Sequence, residues 1–430
     1  SCFDIEFTES SDINLTNAIP ISDEAGLKKK PYTFTLKNTC NMNSKVSIAL
    51  DVLSTSTMSS SAIKTSLTKG NKSGTPTLLT SLDKKADVDI SGAKEAYILG
   101  TDIIGANKSK SYSLYLWMDE AVTIAEASKS FSSKVVIVNT ATEEEVPLEK
   151  LVNEVTTLAA TDITNFATDD PDNNIRYIGA NPNNYVYFNC SDYSNQSDST
   201  CEKWRIIGVF KNMTKEDGSQ EDLVKIIRDD SLGNIAWASS NVNDWSTASL
   251  QTTLNGEYYN GTYATGALKN DTTRNAIESV VWNIGGLSGG NNVVDVLYSE
   301  ERGTTVYSGY ATWTGKIALM YPSDYGYATA GGTKTDRMSC LSKSLGYDGW
   351  REASDCYNND YLYKSGYIQW TLASCSLYNY VYLIEDNGYL SSYNTLQVPY
   401  KVHPTLYLKS DISISKGEGS NESPYQLNIQ

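Results

Sequence analysis

The residues best equipped for chemistry lie between Trp370 and Leu408, and the chemistry they suit is recognition. That stretch holds Tyr378, Asn379, Tyr380, Tyr382, Asp386, Asn387, Tyr389, Ser391, Ser392, Tyr393 and Asn394. Tyrosine offers rigid amphipathic contact area at low entropic cost, and serine and asparagine offer adaptable hydrogen bonds, the composition of a paratope. Tyr378, Asn379, Tyr380, Tyr382, Asp386, Asn387, Tyr389, Tyr393 and Asn394 are the expected ligand contacts. Strand alternation would turn only about half of them to one side. The competing reading is a tyrosine-rich β-meander that merely closes a sheet.

Catalytic and metal chemistry find less material. His403 is the single histidine, which rules out machinery needing several imidazoles. Cys2, Cys40, Cys190, Cys201, Cys340, Cys356 and Cys375 contain no C-x-x-C pair and no Cys/His cluster, so a zinc site is not expected. Asp169-Asp170-Pro171-Asp172-Asn173 gathers oxygens of the kind calcium takes, but the spacing matches no EF-hand and a plain Asp-Pro turn accounts for it. The glycine-rich run GGLSGGNN, residues 285–292, lacks the preceding strand and the Gly-Lys-Ser/Thr that a phosphate loop needs, and reads as a flexible loop. No Gly-x-Ser-x-Gly or Cys/His nucleophile stands out. The chain is expected to be no enzyme and to need no cofactor or metal.

The cysteine spacings suit local disulfides in an oxidising compartment. Cys2 pairs with Cys40, Cys190 with Cys201 and Cys340 with Cys356. Each closes a loop of about 10–40 residues and contributes roughly 3 kcal/mol in the chain-entropy model. Cys375 is left over, either buried and inert or a free thiol at the recognition surface.

The 430 residues suffice for two or three domains. A net charge of -16 argues against nucleic acid and against an anionic membrane surface, since the one short basic run is Lys28-Lys29-Lys30. No stretch of 18 apolar residues is present, so no membrane insertion is expected within the chain. The expected location is extracellular or cell-surface, with an anchor upstream of Ser1.

The elements that must position the recognition segment follow from periodicity. Residues 1–142 are expected to form a β-sandwich of the Ig-like kind, a spacer or assembly module. Tyr32-Thr33-Phe34-Thr35-Leu36, Val46-Ser47-Ile48-Ala49-Leu50 and Tyr112-Ser113-Leu114-Tyr115-Leu116 alternate with period two. Phe3-Asp4-Ile5-Glu6-Phe7, 96–98 and 134–138 add strands. Residues 143–158 form a linker and an amphipathic helix, with Leu148, Leu151, Val152, Val155 and Leu158 on one face. Glu143 to Glu145 and Pro147 suit its N-terminal end. Residues 159–430 make the second domain. Strands are expected at 185–188, 204–210, 223–228, 312–320 and 405–408. Helices are expected at about 247–259, at 271–282 with Asp271 as N-cap, and at 336–345, with a loop at 321–335.

The second domain resembles the formylglycine-generating-enzyme-like branch of the C-type lectin fold found in secreted proteins of Gram-positive gut bacteria. The residues that carry the likeness are Tyr185-Val186-Tyr187-Phe188, WRIIG at 204–208, VKIIR at 224–228, Asn243-Asp244-Trp245, Leu254-Asn255-Gly256, Trp313-Thr314-Gly315, MYPSDYG at 320–326, Gln369-Trp370-Thr371-Leu372, Gly388-Tyr389, 402–408 and GEGSNESPYQL at 417–427. The fold class implied is mostly β with an α+β C-terminal part. The first domain is similar to β-sandwich ectodomains on Gram-positive surfaces, through Ser1-Cys2-Phe3, PYTFTLKNTC at 31–40 and Leu116-Trp117-Met118-Asp119-Glu120.

The same branch includes the variable proteins of diversity-generating retroelements, and the block from Ser374 to Asn394 occupies the place of their diversified positions. Where the family has Val-Arg-Pro this chain has Val402-His403-Pro404, which puts the rigidity of the anchored loop in question, since histidine cannot form the bidentate fork of arginine. The resemblance implies an extracellular adhesion protein binding a protein or glycan ligand on another cell or phage. Calcium-dependent sugar binding is not implied, because the Glu-Pro-Asn or Gln-Pro-Asp and Trp-Asn-Asp strings are absent. The alternative is a structural subunit of a pilus-like appendage that self-assembles by strand exchange at an edge of the N-terminal sandwich. An oxidase of the formylglycine-generating type is less favoured, because it needs a cysteine pair with copper and only Cys375 is unpaired in this scheme.

Overall fold

Alternation in the first 140 residues becomes strand. Tyr32–Asn38 buries Tyr32, Phe34 and Leu36 and exposes Thr33 and Lys37. The computed structural model describes residues 5–9, 13–40, 43–140, 148–376 and 379–429. The chain divides into two compact units, Ser1–Leu148 and Glu149–Gln430.

The first unit is two antiparallel five-stranded sheets. One runs Ile5–Glu9, Tyr32–Asn38, Ser109–Met118, Ile63–Lys69, Thr77–Leu78. The other runs Ile13–Leu15, Phe131–Thr140, Ser44–Leu53, Ala93–Ile104, Lys84–Lys85. Phe34, Leu36, Tyr112 and Leu114 from the first meet Val46, Ile48, Leu50 and Val135 from the second in one core. Phe34 and Tyr112 stack at 5.0 Å. This is a β-sandwich, built because each strand has one apolar face to cover.

The second unit opens with the helix Leu151–Ala159, which buries Leu151 and Val155. Residues 143–147, expected to prepare its N-terminus, lie outside the described residues. The main sheet is antiparallel and centres on Glu202–Thr214 and Gln220–Arg228. Thr405–Leu408 pairs beside them and also carries Ile277–Glu278 and Ile317–Ala318. A smaller sheet runs Asn234–Ile235, Tyr400–Lys401, Gln369–Ser374, Val381–Ile384, Leu390–Tyr393. No helix among the described residues is long and apolar enough to cross a membrane.

Several local expectations change. The helix at 271–282 stops at Asn275, and its cap is Asn270, whose side chain accepts the Thr273 N–H at 2.9 Å. Ile277, Val280 and Val281 go into strands instead, because β-branched side chains find cross-strand partners in Thr405–Leu408 and Thr312–Gly315. The helix at 247–259 breaks into a 3-10 turn, Trp245–Thr247, an α-helix, Ser249–Thr253, and a π turn, Leu254–Tyr258, while Leu250, Leu254 and Tyr258 still face the core. The strand at 312–320 is two strands, Thr312–Gly315 and Ile317–Ala318. The supposed loop after Met320 holds a fully buried helix, Pro322–Tyr327, started by proline and by Asp324 Oδ2, which accepts the Tyr321 N–H at 2.9 Å.

That helix carries the centre of a buried ion network. Arg176 Nε donates to Asp170 Oδ2 at 2.7 Å and its Nη1 to Asp324 Oδ1 at 3.0 Å. Lys225 Nζ lies 2.5 Å from Asp324 Oδ2. Asp170 thus does more than make a turn. Its neighbours are engaged as well, Asp169 with Arg337 at 2.8 Å and Asp172 with the Tyr298 hydroxyl at 2.6 Å. Among the described residues no group of His, Cys, Asp and Glu gathers in a way that could hold a metal ion.

Cys190–Cys201 and Cys340–Cys356 are disulfides. The third expected pair, Cys2–Cys40, rests on Cys2, which lies outside the described residues. His403 anchors its segment without an arginine fork. It is buried, its Nδ1 donates to the Arg228 carbonyl at 2.9 Å, and Nε2 meets the Tyr367 hydroxyl at 3.2 Å.

Candidate functional site

The segment from Gln369 to Tyr393 is a pair of hairpins, and their register decides which residues meet. Gln369–Ser374 pairs with Val381–Ile384 so that Ser374 faces Val381, leaving 375–380 as the connecting loop. Val381–Ile384 then pairs with Leu390–Tyr393, with Val381 opposite Tyr393 and Ile384 opposite Leu390. The loop 375–380 and the residues Tyr393 and Asn394 therefore share one end of the sheet. Asp386, Asn387 and Tyr389 sit at the other end, roughly 10 Å of strand away. Among the described residues, the expected contacts do not form one surface.

Tyr382 is corrected outright as an exposed anchor. It is 2% exposed, because Val381–Ile384 is an interior strand buried on both faces. Its hydroxyl meets Asn292 Oδ1 at 3.1 Å. Burial first, and the neighbouring Cys375 second, push this phenol well above its ordinary range. Tyr378 lies outside the described residues. Asn379 is exposed at φ 60°, a left-handed conformation that asparagine tolerates. Tyr380 is half-buried against the core. Tyr393 is half-buried and packs on Tyr400 at 6.0 Å, which packs on Trp370 at 5.1 Å. Asn394 is exposed. At the far end Asp386 and Asn387 are exposed and Tyr389 packs edge-on to Tyr347 at 6.3 Å, with the Arg351 guanidinium 3.8 Å from the Tyr347 ring.

The end that carries 375–380 is assembled on Asn243, a buried residue absent from the expected contacts. Its Nδ2 donates to the carbonyls of Cys375 and Tyr380, both at 2.9 Å. Its Oδ1 accepts the Ser308 hydroxyl at 2.6 Å. One amide thus ties three loops together. Gly309 completes the junction, since its φ is +61° and a Cβ there would lie 2.3 Å from Asp244 Cγ. A fourth loop joins through the Ala238 N–H to the Leu396 carbonyl at 3.2 Å and Gln397 Nε2 to the Ser239 carbonyl at 2.9 Å.

These loops present Val242, Val306, Tyr310 and Val398, exposed by 52%, 44%, 66% and 38%. Sequence reasoning passed over them. The only signal was a lone apolar residue within a polar loop, as in SSNVND at 239–244, and such residues are common on surfaces.

The glycine run at 285–292 is corrected from a flexible loop to a packed one. Leu287 is fully buried, its N–H donates to the Ser374 carbonyl at 2.8 Å, and its carbonyl accepts the Ser376 N–H at 2.9 Å. A Cβ on Gly286 would lie 2.6 Å from Ser374 Oγ, which explains the glycine. Glu300 fixes the next residue by accepting the Ser288 N–H at 2.8 Å and hydroxyl at 2.6 Å. Beside this loop opens a cleft of about 410 Å³ lined by Asp295, Ser299, Glu300, Thr304, Thr305 and Tyr307. Cys375 is a buried free thiol whose backbone N–H bonds the Tyr380 carbonyl at 2.8 Å.

Apolar side chains stand among exposed amides, and buried hydrogen bonds hold the loops in place. Asn243→Ala would leave three loops without their shared partner. The expected cost is about 2–3 kcal/mol, read as a lower unfolding midpoint of the second unit, together with faster proteolysis within 375–380. No protein-family model matches the chain, and no curated protein matches it.

Proposed function

We propose that the second unit is a C-type-lectin-like domain of the formylglycine-generating-enzyme-like branch and that the chain is a non-enzymatic extracellular adhesion protein. Its ligand is a protein or glycan on another cell or phage. The observation that carries this reading is the loop end built on Asn243, where exposed Val242, Val306, Tyr310, Asn379, Asn394 and Val398 stand beside the wholly buried strands Gln369–Ser374 and Val381–Ile384. Substitution at such positions can change what is bound without disturbing the core, which suits a diversified surface. The ordered segments WRIIG, VKIIR and 402–408 line up as neighbours in the main sheet, which supports the family likeness. Two disulfides suit an oxidising compartment.

The test is a binding screen on glycan arrays and on host and bacterial cells with three proteins. They are the parent, a Val242→Ser/Tyr310→Ser/Val398→Ser variant of the loop end, and a Tyr347→Ser/Tyr389→Ser variant of the opposite end. Loss of binding in the first variant alone, with an unchanged unfolding midpoint, is expected. Loss in the second alone moves the site to the Asp386, Asn387 and Tyr389 end, and equal binding by all three rejects both ends.

A second reading, an assembling structural subunit, has its own support. Ile13–Leu15 covers the edge of Phe131–Thr140 only from Phe131 to Ser133. Among the described residues nothing pairs with that side of 134–140, which carries the apolar run Val135-Val136-Ile137-Val138. Light scattering of the purified chain decides, since strand exchange between copies would give a mass that grows with concentration.

A further inference from the structure

Lys225 and Asp324 meet in the driest part of the second unit. Lys225 lies on Gln220–Arg228 and Asp324 on Pro322–Tyr327, and neither side chain has exposed surface. Nζ stands 2.5 Å from Oδ2. The rings of Tyr321, Phe210, Trp282 and Tyr407 surround the amine at 4.5, 5.0, 5.3 and 5.4 Å. Burial pulls the amine down to about 8, so its neutral form is accessible near neutral pH. Burial alone would raise the carboxyl, but Lys225 and Arg176 hold it down at about 2. The pair therefore rests as ions, and passing one proton across the short contact removes both charges from a medium that solvates them poorly.

Two further groups are placed for addition at the carboxyl carbon. Arg176 Nη1 donates to Oδ1 at 3.0 Å, the oxygen on which charge would develop. The Tyr321 N–H donates to Oδ2 at 2.9 Å and holds the carboxyl in orientation. The fold has already brought amine and acid together, so no encounter entropy remains to be lost. The charges left behind would be balanced. Arg176 keeps Asp170 at 2.7 Å, and Arg302 keeps Glu301 at 2.8 Å.

We propose that Lys225 and Asp324 condense into an intrachain amide once the second unit has folded. One Nζ proton passes to Oδ2. The freed nitrogen lone pair adds to Cγ, and the electron pair displaced from the Cγ–Oδ1 double bond gathers on Oδ1 against Arg176. A second Nζ proton moves to the Oδ2 hydroxyl, the Cγ–Oδ2 bond breaks, and water leaves. Oδ1 returns to a carbonyl and the nitrogen keeps one proton. Nothing is oxidised or reduced, and water is the only by-product. The linkage would tie the central strand to the buried helix across 99 residues of chain.

The experiment is the intact mass of the full chain after complete disulfide reduction and denaturation, followed by peptide sequencing. The expected result is a mass one water below the sequence value and a branched peptide joining the segments around Lys225 and Asp324. The full sequence mass overturns the proposal. So does the loss of one water on an unbranched peptide, the mark of a cyclic imide. Lys225→Arg should return the mass to its sequence value, and if that variant fails to fold the parent protein decides alone.

Discussion

Asp324→Ala is expected to lower the unfolding free energy of the second unit by about 3–5 kcal/mol, the range for removing one partner from a buried charge group. Asp324 accepts from Arg176, Lys225 and the Tyr321 N–H. Alanine would leave two cations without water and without their carboxylate, and Arg176 Nη2 already has no partner. It would also remove the side-chain acceptor that starts the helix Pro322–Tyr327. Both variants lack the proposed amide, and Lys225→Met should be the milder of the two, because Arg176 and the Tyr321 N–H still satisfy the carboxylate and methionine fills the aromatic cage. Denaturant unfolding of the full chain, followed by tryptophan fluorescence, measures both. Seven of the eight tryptophans lie in the second unit, so the signal reports it. A loss under about 1 kcal/mol for Asp324→Ala would mean that the cluster relaxes to admit water.

Stability should be nearly level between about pH 4 and 6.5 as far as two buried groups are concerned, because their titrations oppose each other. Burial lowers His403 to about 4 from 6.5, with the Arg228 carbonyl and Asp229 opposing the shift. Its contribution is complete above 6.5 and is lost as pH falls toward 4, by about 3 kcal/mol. Burial raises Asp360 to about 7 from 3.8, although its carboxyl accepts the N–H groups of Tyr363 and Leu362. Its contribution is complete below 3.8 and is lost as pH rises toward 7, by about 4 kcal/mol.

Single variants should uncover each slope. Asp360→Asn should leave a protein that weakens as pH falls from 6.5, and His403→Asn one that weakens as pH rises from 4. Unfolding midpoints at half-unit pH steps test this. Parallel profiles for parent and both variants would show that neither group titrates in the folded state.

Much of the frame was legible. Period two in Tyr32 to Leu36, Val46 to Leu50 and Tyr112 to Leu116 announces strands because each needs one dry face, and those faces do meet in the sandwich core. Leu151 and Val155 mark a helix face by the same logic. Two of the cysteine pairings were readable from spacing alone. The failures share a cause. Residues 271–282 carry a helical pattern, but the open side of Thr405–Leu408 takes Ile277 and Glu278 as strand. The stretch after Met320 looks like a loop until Asp324 finds Arg176 and Lys225, whose positions lie 148 and 99 residues away.

The segment from Trp370 to Leu408 divides along the same line. Its composition alone determined that the chain carries tyrosines, serines and asparagines suited to binding, on a β-rich, disulfide-stapled scaffold. Composition is a property of each residue, and periodicity a property of near neighbours. Which of those side chains reach solvent depends on what covers them. Only the tertiary structure decided that Tyr382 is buried beneath Asn292 while Asn379 is exposed, and that Asp386 and Tyr393 point to opposite ends of one hairpin. It alone brought Val242, Asn243, Ser308 and Tyr380 together, because hydrogen bonds between loops 65 and 137 residues apart leave no local period to read.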